Sequence, residues 1–145
     1  MTLRDYRTED FEALCEIDRQ CFPPGIAYSR EEIAWAVEQP EMVVVAEEKG
    51  GIAGFVIAEV TGPQRGYIIT IDVLAQHRKS GVGTQLMEEA HRRLIAAGTR
   101  RVILETAVNN TEAIRFYEKL GYTTVRRLKG YYPGRLDAWE MSKEL

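Results

Sequence analysis

The run Arg78-Lys79-Ser80-Gly81-Val82-Gly83-Thr84 sits between an apolar stretch, Tyr67 to Leu74, and a long amphipathic helix, so extended backbone must turn into helix through a basic, glycine-bearing corner. Such a corner builds an anion site. The first turn of a helix carries N–H groups without partners, its dipole favours negative charge, and two glycines let the backbone approach a phosphate with no Cβ in the way. The plain alternative is a tight turn that feeds a helix. Two commoner phosphate loops do not fit. A P-loop ends in Gly-Lys-Ser/Thr, whereas the basic pair here precedes the glycines. A dinucleotide fingerprint needs three glycines after the first strand and an acidic residue about 20 positions on.

The chain has 145 residues, which suits one domain spanning 1–145. Its 45% hydrophobic and 28% charged residues are the mixture of a folded globular protein. A net charge of −3 argues against general nucleic-acid binding. Charge from the fourth residue onward excludes a signal peptide, and no apolar run is long enough for a bilayer, so the reading is cytoplasmic with no membrane role. Cys15 and Cys21 read as reduced, mostly buried small hydrophobes, and His77 and His91, the latter among helix charges, have no partners at zinc spacing. No metal site is expected.

Apolar spacing predicts a short strand at Thr2–Arg4, then a helix that starts near Thr8 and ends at Phe22-Pro23-Pro24-Gly25. Ser29 and Glu32 form a capping box for a helix over Arg30–Val37. Strands follow at Met42–Glu47, Ile52–Val60 and Tyr67–Leu74, the last rich enough in isoleucine to be buried on both faces. A helix runs from Gly81 to about Ala97, with Gly98 as its stop. Arg101–Ala107 is a strand, Asn109 or Asn110 caps a helix to Leu120, and strands at Tyr122–Leu128 and Ala138–Met141 are joined by a loop, Gly130 to Gly134. The order is strand, two helices, three strands, helix, strand, helix, two strands: an α/β domain with a mixed sheet.

Two motifs lift the reading above a fold class. Basic residue, two spacers, Gly, one spacer, Gly resembles the coenzyme A pyrophosphate loop of the GNAT superfamily of N-acetyltransferases. Further on, Leu104-Glu105-Thr106-Ala107-Val108-Asn109-Asn110, continuing through Phe116-Tyr117 to Gly121-Tyr122, is similar to that family's strand-Asn-helix-Tyr-Gly segment with no gap. The order of elements is also the family's, so the likeness covers nearly the whole chain.

The resemblance implies acetyl-CoA as cofactor, with its pyrophosphate on Arg78, Lys79, Ser80, Gly81, Val82, Gly83 and Thr84. Its pantetheine arm would lie along Ile71, Asp72 and Val73 as an added strand, which requires the third and fourth long strands to splay, with Asn110 and Ala113 contacting the arm. A backbone N–H near Val73 would polarise the thioester carbonyl. Glu105, in mid-strand, is either a solvated strand residue or the general base, and the resemblance to ribosomal-protein-alanine N-acetyltransferases favours the base. Tyr117 is either a packed core tyrosine or the general acid that protonates the coenzyme A sulfur, the place where the family keeps its acid.

The segment Lys129 to Gly134, with Asp137-Ala138 after it, is similar to the Tyr-Tyr loop of enzymes that acetylate protein N-termini. Tyr131 and Tyr132, with Ile26 and Tyr28 from the other loop, then bind an extended peptide; Tyr132 reads equally as a hydrophobic plug. Gly25 to Tyr28 departs from the ribosomal-protein enzymes, which more often carry a tryptophan and a polar residue there. The primary expectation is an Nα-acetyltransferase of a protein or peptide N-terminus, a ribosomal protein being one candidate, working as monomer or homodimer. Acetylation of a small amine or a lysine side chain is the alternative among enzymes, and a non-catalytic coenzyme A-binding regulatory module is the alternative outside them.

Overall fold

A computed structural model describes all residues from Met1 to Leu145. The elements are β1 (Thr2–Asp5), α1 (Phe11–Cys21), α2 (Arg30–Ala36), β2 (Val43–Glu48), β3 (Gly51–Gly62), β4 (Arg65–Val73), α3 (Val82–Ala96), β5 (Arg101–Ala107), α4 (Thr111–Lys119), β6 (Thr123–Tyr132) and β7 (Leu136–Glu144), with single 3-10 turns between some of them. This is the order that the sequence predicts. The caps match too: Ser29 and Glu32 exchange side-chain and backbone bonds at the head of α2, and the Asn110 side chain accepts from Ala113 N at the head of α4.

All seven strands join one sheet in the order β1-β2-β3-β4-β5-β7-β6. Every neighbouring pair is antiparallel except β4 with β5, because α3 carries the chain back across one face between them. Seventeen buried residues form the larger core, on the face covered by α3 and α4, where Leu86, Met87, Ala90 and Leu94 meet Val44, Val56, Ala58 and Leu104. Seven more, including Leu14, Ile17, Phe55 and Ile57, form a second core under α1 and α2. No helix is long and apolar enough to cross a membrane.

Several features depart from the sequence reading. β4 is not buried evenly: Ile68, Thr70 and Asp72 are buried while Tyr67, Ile69, Ile71 and Val73 are half-buried. A register shift opposite Ile57 and Ala58 leaves Ile69 without a partner, so Ile68 and Ile71 both pack toward the α3 core. At the other end of the sheet, β6 runs on through Tyr132, so Tyr131 and Tyr132 lie on a strand where a loop was expected. A second register shift between Leu128 and Tyr132 absorbs Gly130, whose φ is 62°. His91 is buried, 8% exposed, and its Nε2 lies 2.7 Å from the Tyr122 hydroxyl rather than among charges.

Candidate active site

The β4–β5 pairing is short. Arg65, Gly66 and Tyr67 register with Arg101, Val102 and Ile103, and beyond them the strands part although β4 continues to Val73 and β5 to Ala107. From that point the facing edges have unpaired backbone groups, and the sheet is open in its middle. This is the splay that an inserted extended arm requires.

At the wide end of the opening stands the corner that leads into α3. The N–H groups of Lys79 through Thr84 donate to nothing in the chain; the next, Gln85 N, bonds to Gly81 O at 3.0 Å. Lys79 and Gly81 both take positive φ, 63° and 87°, which curls this run of donors into a concave nest at the helix head. Ser80 Oγ fixes the curl by donating to His77 O at 2.5 Å. Arg78 Nε donates to Val73 O at 2.9 Å and ties the corner to the end of β4. The two glycines also divide their work. Gly81 supplies the left-handed backbone, whereas a Cβ on Gly83 would lie 3.2 Å from the Phe116 ring, so Gly83 lets α3 close against α4. Val82 is buried beneath the nest and Thr84 begins the helix surface.

Glu105 and Tyr117 reach the opening from opposite faces. Leu104 packs into the α3–α4 core with Tyr117, so its neighbour Glu105 projects to the other face, as strand alternation requires. There the hydroxyls of Tyr67 and Tyr131 both donate to Glu105 Oε1, the second at 3.0 Å. Oε2 is left free. Burial and the neighbouring carboxylate push both phenols above their ordinary range, so they remain donors at any working pH. Tyr67 was not singled out by the sequence. Its role depends on a parallel register that sets it opposite Ile103, two residues from Glu105, and no local motif encodes that.

Tyr117 is 8% exposed, with Phe116 and Tyr122 rings at 5.5 and 5.9 Å. Its hydroxyl bonds to nothing in the chain; burial first, then Asp72 and Tyr132, hold it protonated well above the usual phenol value. Asn110 caps α4 through Ala113 N at 3.2 Å, which leaves its amide nitrogen available toward the opening.

Tyr28 crosses to β4, where its hydroxyl donates to Ile69 O at 3.2 Å. Tyr131 and Tyr132 stack edge to face, centroids 4.9 Å apart, and burial pushes the Tyr132 phenol to about 12. The two loops that flank the cleft come together, because a Cβ on Gly25 would sit 3.6 Å from Pro133. Ile26, half-buried, is held in a turn by its N–H to Pro23 O at 3.1 Å and forms no part of the Glu105 cluster's hydrogen bonds. The Asp72 side chain is 1% exposed and turns to α1, so it is the backbone of this residue, the part an added strand would pair with, that lies along the opening. Cys15 and Cys21 are free thiols, and burial pushes Cys21 to about 11, too high for a nucleophile.

The acetyltransferase (GNAT) family model matches residues 11–122. An N-alpha-acetyltransferase of Sulfurisphaera tokodaii is 28% identical over 155 residues, covering 99% of this chain and 92% of that protein. Among solved structures, Ard1 from Thermoplasma volcanium superposes with a TM-score of 0.93 at 27% identity, covering 99% of this chain and 97% of that one. The ribosomal-protein-S18-alanine N-acetyltransferase of Escherichia coli follows at 0.89 and 25%, covering 99% and 92%. Arabidopsis thaliana Naa50 in complex with the bisubstrate analogue CoA-Ac-MVNAL gives 0.84 at 25%, covering 99% and 98%. These matches span the splayed strands and the amide nest alike, and the chain belongs to the GNAT family of N-acetyltransferases.

Proposed function

We propose that the protein transfers acetyl from acetyl-CoA to the α-amine of a protein or peptide N-terminus, with Glu105 as base and Tyr117 as acid. The observation that carries this reading is the arrangement across the opening: a carboxylate held by two tyrosines on one face and an unpartnered, protonated phenol on the other. Acetyl-CoA fits the chain's own groups, since the nest from Lys79 to Thr84 offers unpaired donors to a pyrophosphate and the parted edges of β4 and β5 offer an extended arm its backbone partners. When bound on the Lys79–Thr84 amides, acetyl-CoA would supply an activated acetyl as its thioester.

The chain's residues do the rest. An α-ammonium titrates at about 7.7 to 8.0, so a base is needed to complete its deprotonation near neutrality. Oε2 of Glu105 is positioned for that proton because both tyrosines occupy Oε1. Tyr117 would hold and give the proton that a departing thiolate needs; the uphill transfer from phenol to thiol would be offset by a hydrogen bond made only in that geometry. Backbone N–H groups at the β4 irregularity, which falls at Ile69 rather than at Val73, polarise the carbonyl. Tyr28, Tyr131 and Tyr132 bracket the peptide, with Ile26 lining its entry.

Lysine acetylation is the weaker reading. A lysine ammonium near 10.4 asks more of the base than an α-ammonium does. A panel of N-terminal peptides, internal-lysine peptides and polyamines, incubated with acetyl-CoA and analysed by tandem mass spectrometry, decides the matter. Acetyl should appear on α-amines; product confined to lysine Nε or to small amines would overturn the assignment.

A further inference from the structure

Beneath the substrate loop lie two acids that the chemistry above leaves unused. Asp18, on α1, is 0% exposed and Asp72, on β4, is 1% exposed. Neither forms a salt bridge. Asp18 Oδ2 accepts from Tyr28 N at 2.7 Å, and Asp72 Oδ1 accepts from Thr70 Oγ1 at 2.6 Å. Each has one oxygen left, Asp18 Oδ1 and Asp72 Oδ2, fully buried and without a donor. The two carboxyls face each other within hydrogen-bonding reach.

We infer that Asp18 and Asp72 share a single proton, and that this proton fastens the Phe22–Tyr28 substrate loop to the cofactor strand β4, making both acids positioning residues for the peptide. Two buried carboxylates in contact cannot both be charged, and one proton between the two orphaned oxygens satisfies both at once. Burial and the facing Asp18 push Asp72 well above the carboxyl range, in accord with that state. The other polar groups that face the pair are the Cys15 and Cys21 thiols of α1, the Tyr28 backbone and phenol, Thr70, Arg78 at the corner, and the Tyr117 phenol on α4. Of these only Arg78 is cationic, and its Nε is engaged by Val73 O. The mechanical consequence follows from connectivity. Asp18 holds the Tyr28 backbone, the Tyr28 hydroxyl holds Ile69 O, and Asp72 lies three residues along the same strand, so loop and strand are pinned at two points. Loss of the shared proton sets two buried negative charges against each other and releases the first pin.

The kinetic part rests on the peptide reading, so the test includes a measurement that needs no substrate. Carbon-13 titration of the aspartate carboxyls should show the Asp18–Asp72 pair retaining one proton well above the usual carboxyl value of about 4, with the Tyr28 amide shift moving at the same midpoint. Two ordinary titrations near 4, or a Tyr28 amide indifferent to the step, would overturn the inference whatever the enzyme acetylates. In Asp18→Asn the carboxamide still accepts from Tyr28 and donates permanently to Asp72. Its peptide KM should stay within about twofold of wild type near pH 7 and hold level as pH rises through the range where that of wild type climbs. Asp18→Ala should raise peptide KM about 10-fold, with kcat within about threefold. An Asn variant as impaired as the Ala variant, or one with the wild-type alkaline rise, refutes the shared proton.

Discussion

Glu105 and the two tyrosines that bond its Oε1 form the smallest unit on which the proposed transfer depends. Glu105→Gln removes the proton acceptor, and turnover should fall by roughly 10- to 10⁴-fold with coenzyme A affinity kept, as read from kcat and a direct binding titration. Tyr117→Phe should lower kcat over the same range by removing the acid. Tyr67→Phe keeps the base but frees one of its two tethers, so a smaller fall of about 10-fold in kcat/KM is expected. A Gln or Phe variant as active as wild type in a steady-state assay would remove that residue from the mechanism. Glu105, Tyr117, Tyr28 and Tyr131 were legible as candidates in the sequence because they belong to segments with recognisable neighbours. Tyr67 and Asp18 were not: their partners, Glu105 and Asp72, lie on other elements, and the pairing depends on register and helix placement that no local spacing records.

Among the elements, β4 and α3 carry the heaviest constraints. A Cβ on Gly54 of β3 would lie 2.5 Å from Asp72 O, so Gly54→Ala should push β4 outward at the opening, destabilise the fold by about 1–3 kcal/mol in urea unfolding and weaken coenzyme A binding. His91 of α3 is held neutral by burial, its pKa lowered from 6.5 to about 4. The unfolded chain therefore binds the proton first, and the stability that this group contributes is complete above about pH 6.5 and lost as pH falls toward 4. Urea midpoints at pH 7 and about pH 4.5 should drop less in His91→Gln than in wild type; an equal drop would locate the acid sensitivity elsewhere. Element boundaries were largely legible because caps are local: Ser29 with Glu32 and Asn110 with Ala113 stand where the sequence puts them. The reach of β6 to Tyr132 was not, because Gly130 and Pro133 carry the composition of a loop while the bulge that absorbs Gly130 is set by the partner strand β7.

Across the whole molecule, two antiparallel portions, β1 to β4 and β5 with β7 and β6, meet at three registered residue pairs and are further joined by the Tyr67–Glu105 bond and by packing through α3 and α4. That economy leaves the gap in which, under the proposed function, cofactor and peptide meet. The topology was legible from the order of elements together with the GNAT likeness; the gap itself came from the likeness alone, since parted strands leave no mark in composition or periodicity. Calorimetric titration of coenzyme A tests the central claim most directly, because pyrophosphate on the Lys79–Thr84 amides must come before any transfer. One site per chain is predicted, with affinity retained in Tyr117→Phe; absence of binding heat at millimolar coenzyme A would contradict the account.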